Sequence, residues 1–269
     1  MIVFPNGKIN LGLSVLKKRD DGYHNIESIV YPVPIFDVLE FYPSKQLTLE
    51  LYGLEIQDEL SDNIVFKAWH LMHQNYNLPP IHIKLLKGIP IGSGLGGGSA
   101  DAAFLLKSLN SYFLLNLSTS RLKEYAASLG SDCPFFIDNK AAIIKGRGEI
   151  VEQVDLNLKA YRCVIVVPDF QVSTKEAYQN FIAVKHNLSL TKVLQKPFRD
   201  WQGILINDFE NITFEKHPQL KEIKAIMLKE GAIYASLTGS GSAVFGIFDR
   251  DIEMNKFFPD YHIRYGLLN

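Results

Sequence analysis

The stretch Ile89–Ala103, IPIGSGLGGGSADAA, places five glycines, Gly92, Gly94, Gly96, Gly97 and Gly98, within seven residues. Before it, Ile81, Ile83 and Leu85 alternate at the period of a strand. After it, Ala102, Leu105, Leu106 and Leu109 share one helical face. A glycine loop between a strand and a helix start lets backbone N–H groups approach a ligand, because no Cβ intervenes. The helix adds roughly half a positive charge at its first turn. The expected guest is phosphate. One or two glycines suffice for a turn, and each costs roughly 1 kcal/mol beside a helix start, so five argue for a ligand rather than a connector.

Gly92, Gly94 and Gly97 formally satisfy GxGxxG, but a dinucleotide site wants a βαβ unit with an acidic residue about 20 residues on. This chain has a Leu-rich helix and SYFLLNLSTS there. No Gly-Lys-Ser/Thr closes the loop, and the protein-kinase HRD and DFG pairs are missing.

Outward from the loop, Ile9, Leu11, Leu13 and Val15 alternate as in a half-buried strand, which puts Lys8 and Asn10 together on the face opposite the core. Further strands are expected at Glu27–Val33, Val38–Tyr42, Leu47–Leu51, Ala141–Lys145 and Ala243–Phe248, and in CVIVVP from Cys163. A helix opens at SDNIVFKAW with Ser61 or Asp62 as cap, before Pro79 and Pro80. Others are expected from Ser120 to Leu129 with Gly130 at C′, between Thr174 and Leu194, and from Pro218 to Glu230 closed by Gly231. GSDCPFF leads into the strand near Ala141, and LTGSGSA reads as a second glycine turn around Gly239 and Gly241. The pattern is α+β, with a boundary that divides the chain into 1–158 and 159–269.

Composition narrows the class. The 269 residues are 47% hydrophobic and 21% charged, with a formal net charge of −1. That balance gives no general attraction to nucleic acid or to an anionic membrane, so a polyanion must be held by local donors. Cys133 and Cys163 are too few for a disulfide framework and lack zinc-knuckle spacing. The N-terminus has no signal pattern, and no run of about 18 apolar residues occurs. A cytoplasmic protein with neither nucleic-acid nor membrane partner is expected.

The loop resembles the Pro-x-x-x-Gly-Leu-Gly-Gly-Gly-Ser nucleotide loop of the GHMP kinases, the superfamily of galactokinase, homoserine kinase, mevalonate kinase and phosphomevalonate kinase. NGKINLGL, RDDGYHNIES, GSDCPFF, GRGEI, INDFE and LTGSGSAVFG resemble, in order and spacing, the branch acting on a cytidine diphosphate sugar-alcohol in non-mevalonate isoprenoid synthesis. Gly-Glu-His, usual after the N-terminal strand of galactokinases and mevalonate kinases, is absent from NLGLSVL. The resemblance implies a two-domain GHMP kinase fold, with a ribosomal protein S5 domain 2-like N-terminal part and a ferredoxin-like C-terminal part. It also implies ATP-dependent phosphorylation of the 2-hydroxyl of the cytidine-linked methylerythritol. Another GHMP kinase, of homoserine or mevalonate type, and a non-catalytic nucleotide-binding protein on this fold are the alternatives.

The resemblance further implies roles. Asp132 of GSDCPFF would be the base, with Lys8 beside it to hold it ionised and to stabilise developing charge. ATP would lie on Pro90, Gly92, Ser93, Gly94, Leu95, Gly96, Gly97, Gly98 and Ser99, with Asn63 near the adenine. Tyr23 and His24 would read the cytosine, Thr174 and Tyr178 would help hold the cytidine, and Asn10 would join the substrate site. Mg2+ would arrive with ATP, Ser99 being available to phosphate or to the ion, and no dedicated protein metal site is expected. His70 and His73, at i, i+3, lack a third ligand of suitable spacing. Cys133 is expected to be a packed residue rather than a nucleophile. A monomer or weak homodimer is expected.

Overall fold

The structure is a computed structural model that describes residues 1–54, 62–179, 181 and 189–268. In chain order the first half contains β1 (Ile2–Val3), β2 (Asn6–Lys18), β3 (His24–Phe36), β4 (Val38–Pro43), β5 (Thr48–Gly53), α1 (Ile64–Tyr76) and β6 (Ile81–Lys87). It continues with α2 (Gly97–Tyr112), α3 (Thr119–Leu129), α4 (Cys133–Asp138), β7 (Ala142–Gly146) and β8 (Ile150–Gln153). The second half runs through β9 (Arg162–Val167), α5 (Thr174–Gln179), α6 (Leu190–Leu194), α7 (Phe209–Lys216) and α8 (Pro218–Lys229). It ends with β10 (Tyr234–Leu237), β11 (Val244–Phe248) and β12 (His262–Leu267). Among the described residues no helix is long and apolar enough to cross a membrane.

The chain divides into two compact units, each built from discontinuous segments. The first comprises Met1–Gly7 and the described parts of Ile35–Ile91 and Gly96–Lys140. Its sheet has the order β1-β4-β6-β5, with β4 antiparallel and β5 parallel to β6. The register sets Leu39 opposite Leu85 and Phe41 opposite Ile83. These alternate residues are buried with Val65, Ala68 and Met72 of α1 and Ala102, Leu105, Leu106 and Leu109 of α2, as period 2 against period 3.6 requires.

Two helix ends differ from expectation. Asn63, rather than Asp62, caps α1, its Oδ1 accepting the Val65 N–H at 2.9 Å; Ser61 lies outside the described residues. Gly130 ends α3 with φ −178°, extended rather than left-handed. Its missing side chain matters instead for closeness, since a Cβ there would stand 3.2 Å from Cys133 Sγ. The helix α4 has no counterpart in the sequence reading. Cys133, Pro134, Phe135, Phe136 and Ile137 are all buried, so this short helix has no polar face to reveal its period.

The second unit comprises Lys8–Pro34, Gly92–Leu95 and the described part of 141–269. One of its sheets is β2-β3-β7-β8; the other is β10-β11-β9-β12, antiparallel throughout. All of Cys163–Val167 is buried, as are Leu220, Ile223 and Met227 of α8. Here β2 departs from the half-buried strand that its alternation predicts: from Asn6 to Val15 both faces are covered. Its second edge runs along Ile206–Asp208. Leu13 N–H donates to Ile206 O at 3.0 Å, Asp208 N–H to Leu13 O at 2.9 Å, and Val15 N–H to the Asp208 carboxylate at 2.8 Å. Gly12, at φ +73°, lets Leu205 come within 3.1 Å of where a Cβ would be. A polar face can therefore be buried when backbone and carboxylate partners meet it.

Candidate active site

Residues Gly92–Leu95 are fixed by the second glycine turn. Thr238 Oγ1 donates to Gly94 O at 3.2 Å, Ala243 N–H to Ser93 O at 3.0 Å, and Lys8 N–H to Leu95 O at 2.9 Å. Gly94 must be glycine: its φ is +82°, and a Cβ would lie 2.1 Å from Thr238 O. Gly98 is different. Its φ is outside the positive range, it is exposed, and the nearest atom to a Cβ there would be Ile64 Cγ2 at 3.7 Å. Among the described residues nothing demands glycine at 98, and the space above the first turn of α2 is open. Anions favour that place, because the first amides of a helix have no intrahelical acceptor.

Lys8 and Asn10 share a face of β2 as their spacing predicts, but that face is buried, with 4% and 1% of their surfaces exposed. Lys8 Nζ donates to Asn10 Oδ1 at 2.7 Å. The same oxygen accepts Gly239 N–H at 3.0 Å and lies 3.2 Å from the Thr238 hydroxyl, whose one proton it shares with Gly94 O, while Asn10 Nδ2 donates to Ser28 Oγ at 2.9 Å. Asn10 is thus the junction between the lysine, β3 and the second glycine turn. An ammonium kept out of water needs such acceptors.

Asp132 stands immediately before α4 at φ −85°, and its side chain makes no capping hydrogen bond to that helix. The GSDCPFF motif therefore presents its carboxylate at a helix start without using it to cap the helix. The neighbouring Cys133 thiol is pushed up to about 12 by burial, with the Ser99 hydroxyl hydrogen-bonded against it. At neutral pH it is a protonated, packed side chain.

The turn before β3 is held by local polar contacts. Arg19 N–H donates to Tyr23 O at 2.8 Å, Tyr23 N–H to Asp21 Oδ1 at 3.1 Å, and Arg19 Nε to Asp21 Oδ2 at 3.0 Å. Tyr23 remains 55% exposed, with the Arg147 guanidinium over its ring at 5.1 Å. His24 stacks on Tyr178, ring centres 5.2 Å apart and planes 21° from parallel, and Tyr178 meets the edge of Phe209. Thr174 Oγ1 lies 2.9 Å from Ser240 Oγ. Desolvation, then the positive charge of Lys18, depress the His24 pKa below its ordinary value, leaving a neutral imidazole at pH 7. His24 and Tyr178 thereby share one aromatic stack, while Thr174, on the same helix as Tyr178, meets Ser240. Asn63 serves as the cap of α1.

Several supporting residues escaped the sequence reading. Asn207 Nδ2 donates to both Leu237 O and Gly239 O at 2.8 Å, and Glu210 Oε1 accepts Ser236 Oγ at 3.0 Å and Leu237 N–H at 3.1 Å. INDFE therefore builds and holds the second glycine turn. The signal was present as an Asn-Asp pair before a short helix, but its partner lies far along the chain.

Comparison with known proteins gives a consistent result. The family described as GHMP kinases N terminal domain matches residues 63–144, and GHMP kinases C terminal matches residues 190–257. A 4-diphosphocytidyl-2-C-methyl-D-erythritol kinase of Bacteroides thetaiotaomicron is 49% identical over 253 residues, 93% of this chain and 92% of that protein. One of Parabacteroides distasonis is 45% identical over 271 residues, covering 100% of both chains. The crystal structure of a 4-(cytidine 5'-diphospho)-2C-methyl-D-erythritol kinase is similar with a TM-score of 0.83 at 28% identity, covering 99% of this chain and 98% of the other.

Proposed function

The chain belongs to the 4-diphosphocytidyl-2-C-methyl-D-erythritol kinase family of the GHMP kinases, and from that premise we propose how its own residues carry out the family's reaction. The protein is an ATP-dependent kinase that phosphorylates the 2-hydroxyl of 4-diphosphocytidyl-2-C-methyl-D-erythritol, giving the 2-phosphate and ADP, in the non-mevalonate isoprenoid pathway. Such transfer requires positioning and charge stabilisation more than covalent chemistry.

ATP lies along Pro90 and Gly92–Ser99, with its phosphates over the first turn of α2 and its adenine near Asn63. The open space at Gly98 is the observation that carries this reading. Asp132 takes the proton of the 2-hydroxyl as its oxygen attacks the γ-phosphorus; the bond to the bridging oxygen breaks and ADP leaves. Lys8 stabilises the charge that develops on the transferred group, held in place by Asn10. His24, in its neutral form, exchanges hydrogen bonds with the cytosine, while Tyr23, Tyr178 and Thr174 enclose the cytidine.

A magnesium ion would come with the nucleotide and take most of its ligands from phosphate and water. Ser99 offers a hard hydroxyl oxygen in the first turn of α2 that would meet the ion. When bound, the ion supplies neutralisation of phosphate charge. A division of the sequence into 1–158 and 159–269, which follows the two matched family regions rather than the compact units, a cytoplasmic location and a monomer or weak homodimer belong to the same proposal. ADP release with a panel of acceptors tests it: the cytidine-linked methylerythritol is the expected acceptor, and turnover with homoserine or mevalonate alone would reject the assignment.

A further inference from the structure

Beneath the helix that follows the glycine loop lies a cluster of charges that the reaction above does not use. Lys87, at the end of β6, is 4% exposed; Asp37, between β3 and β4, is 0% exposed; and Asp101, in the second turn of α2, is 1% exposed. Lys87 Nζ donates to Asp37 Oδ2, and to Asp101 Oδ2 at 2.6 Å. The other Asp37 oxygen accepts the N–H groups of Gly88 at 2.6 Å and Ile89 at 2.8 Å, the residues that carry the chain towards the loop. At the far side of the loop, a Cβ on Gly97 would stand only 3.3 Å from Lys87 Nζ, so the ammonium lies directly below the first residue of α2. One lysine thus joins the segment that enters the glycine loop to the helix that leaves it.

Buried ion clusters of this kind often give no more stability than well-packed apolar side chains, so stability alone does not account for the arrangement. What it supplies is fixed geometry. We propose that Lys87, clamped between Asp37 and Asp101, is a positioning residue for the nucleotide, holding Gly88–Ile89 and the first turn of α2 in the relation that presents the loop amides to phosphate. This rests on the reading that ATP occupies Gly92–Ser99. Burial, reinforced by the neighbouring Asp37 charge, holds the Asp101 carboxyl well above the usual range despite the opposing pull of Lys87. Asp101 Oδ1 makes no hydrogen bond. Held towards its protonated form, Asp101 places less negative charge under the phosphates than an ordinary carboxylate would.

The test uses the full chain and reads the Kd for ATP by calorimetry, together with KM for each substrate and kcat. Asp101→Asn supplies a group of the same shape that can still set an oxygen against Lys87, and is expected to bind ATP within about two-fold of the parent. Asp101→Leu and Lys87→Met are expected to weaken ATP binding about ten-fold or more, as a loss of preorganised geometry does, while KM for the cytidine substrate changes by less than about two-fold. Folded leucine and methionine variants with unchanged ATP affinity, or with equal losses for both substrates, would overturn the proposal. Should neither fold, Asp37→Asn decides, because it turns an amide NH2 towards Lys87 at constant volume. A rise of about five-fold in the ATP Kd is expected, and no rise overturns the idea. Gly98→Ala separates the two readings. If it weakens ATP binding while the Lys87 and Asp101 variants do not, only the positioning role fails; if it has no effect, the loop assignment itself fails.

Discussion

The chain around the glycine loop is set by buried groups: Thr238 and Ala243 bond to Gly94 and Ser93, and the Asp37 carboxylate holds Gly88 and Ile89. The turn carrying Tyr23 and His24 is held instead by the exposed Arg19–Asp21 pair and the half-buried stack of His24 on Tyr178. Exposed ion pairs are worth about 0–1 kcal/mol, whereas an unpaired buried polar group costs about 1–3 kcal/mol. One region is thus over-determined, as suits phosphates that must meet fixed amides. The other can adjust its aromatic rings around a base. Variants at Gly94 should lower both stability and nucleotide affinity, Gly98→Ala nucleotide affinity alone, and variants in the turn chiefly substrate affinity.

The largest expected effect lies with the chemistry that both regions serve. Asp132→Ala should lower kcat by about 10²–10⁴-fold, the usual contribution of a positioned base, with ATP affinity within about two-fold; stopped-flow phosphate transfer measures the first and calorimetry the second. Next is Gly94→Ala, which forces a side chain into a φ of +82° against Thr238 O. It should destabilise the fold by about 1–3 kcal/mol and raise the ATP Kd, read from thermal unfolding with and without nucleotide. Tyr178→Ala removes a ring that would stack on the base, an interaction worth about 0.5–1.5 kcal/mol, so KM for the cytidine substrate should rise up to about ten-fold, with a drop of a few degrees in melting temperature because the contacts to His24 and Phe209 are lost as well.

The His24 pKa gives a pH test of the same contrast. Because it is depressed, the neutral imidazole persists below the ordinary histidine range. Affinity for the cytidine substrate should be flat through neutral pH and fall only as acid protonates His24, and His24→Gln should remove that fall. The smallest effect concerns the thiols. Burial pushes both Cys133 and Cys163 up, so alkylation at pH 8 should be absent until the protein unfolds, and activity should survive the reagent.

Much of this arrangement is legible in the chain. The crowding of Gly92–Gly98 and the spacing of Lys8 from Asn10 are local patterns, and local patterns survive in sequence. What stayed hidden was long-range pairing. Alternation along β2 predicts a half-buried strand, yet Asn10 meets Thr238 and Gly239, and Val15 meets Asp208. Nothing between Lys8 and Val15 announces a partner so distant. Lys87 is a mixed case: Asp101 lies on α2, the next element in sequence, but Asp37 stands 50 residues earlier, between β3 and β4. The helix α4 was missed for another reason, since a fully buried helix has no polar stripe.

The division of labour between loop and turn is tested most directly by titrating ADP and CDP separately into Gly98→Ala and His24→Ala proteins. ADP affinity should fall only in the glycine variant and CDP affinity only in the histidine variant. Losses that cross over, with His24→Ala weakening ADP and Gly98→Ala weakening CDP, would contradict the account.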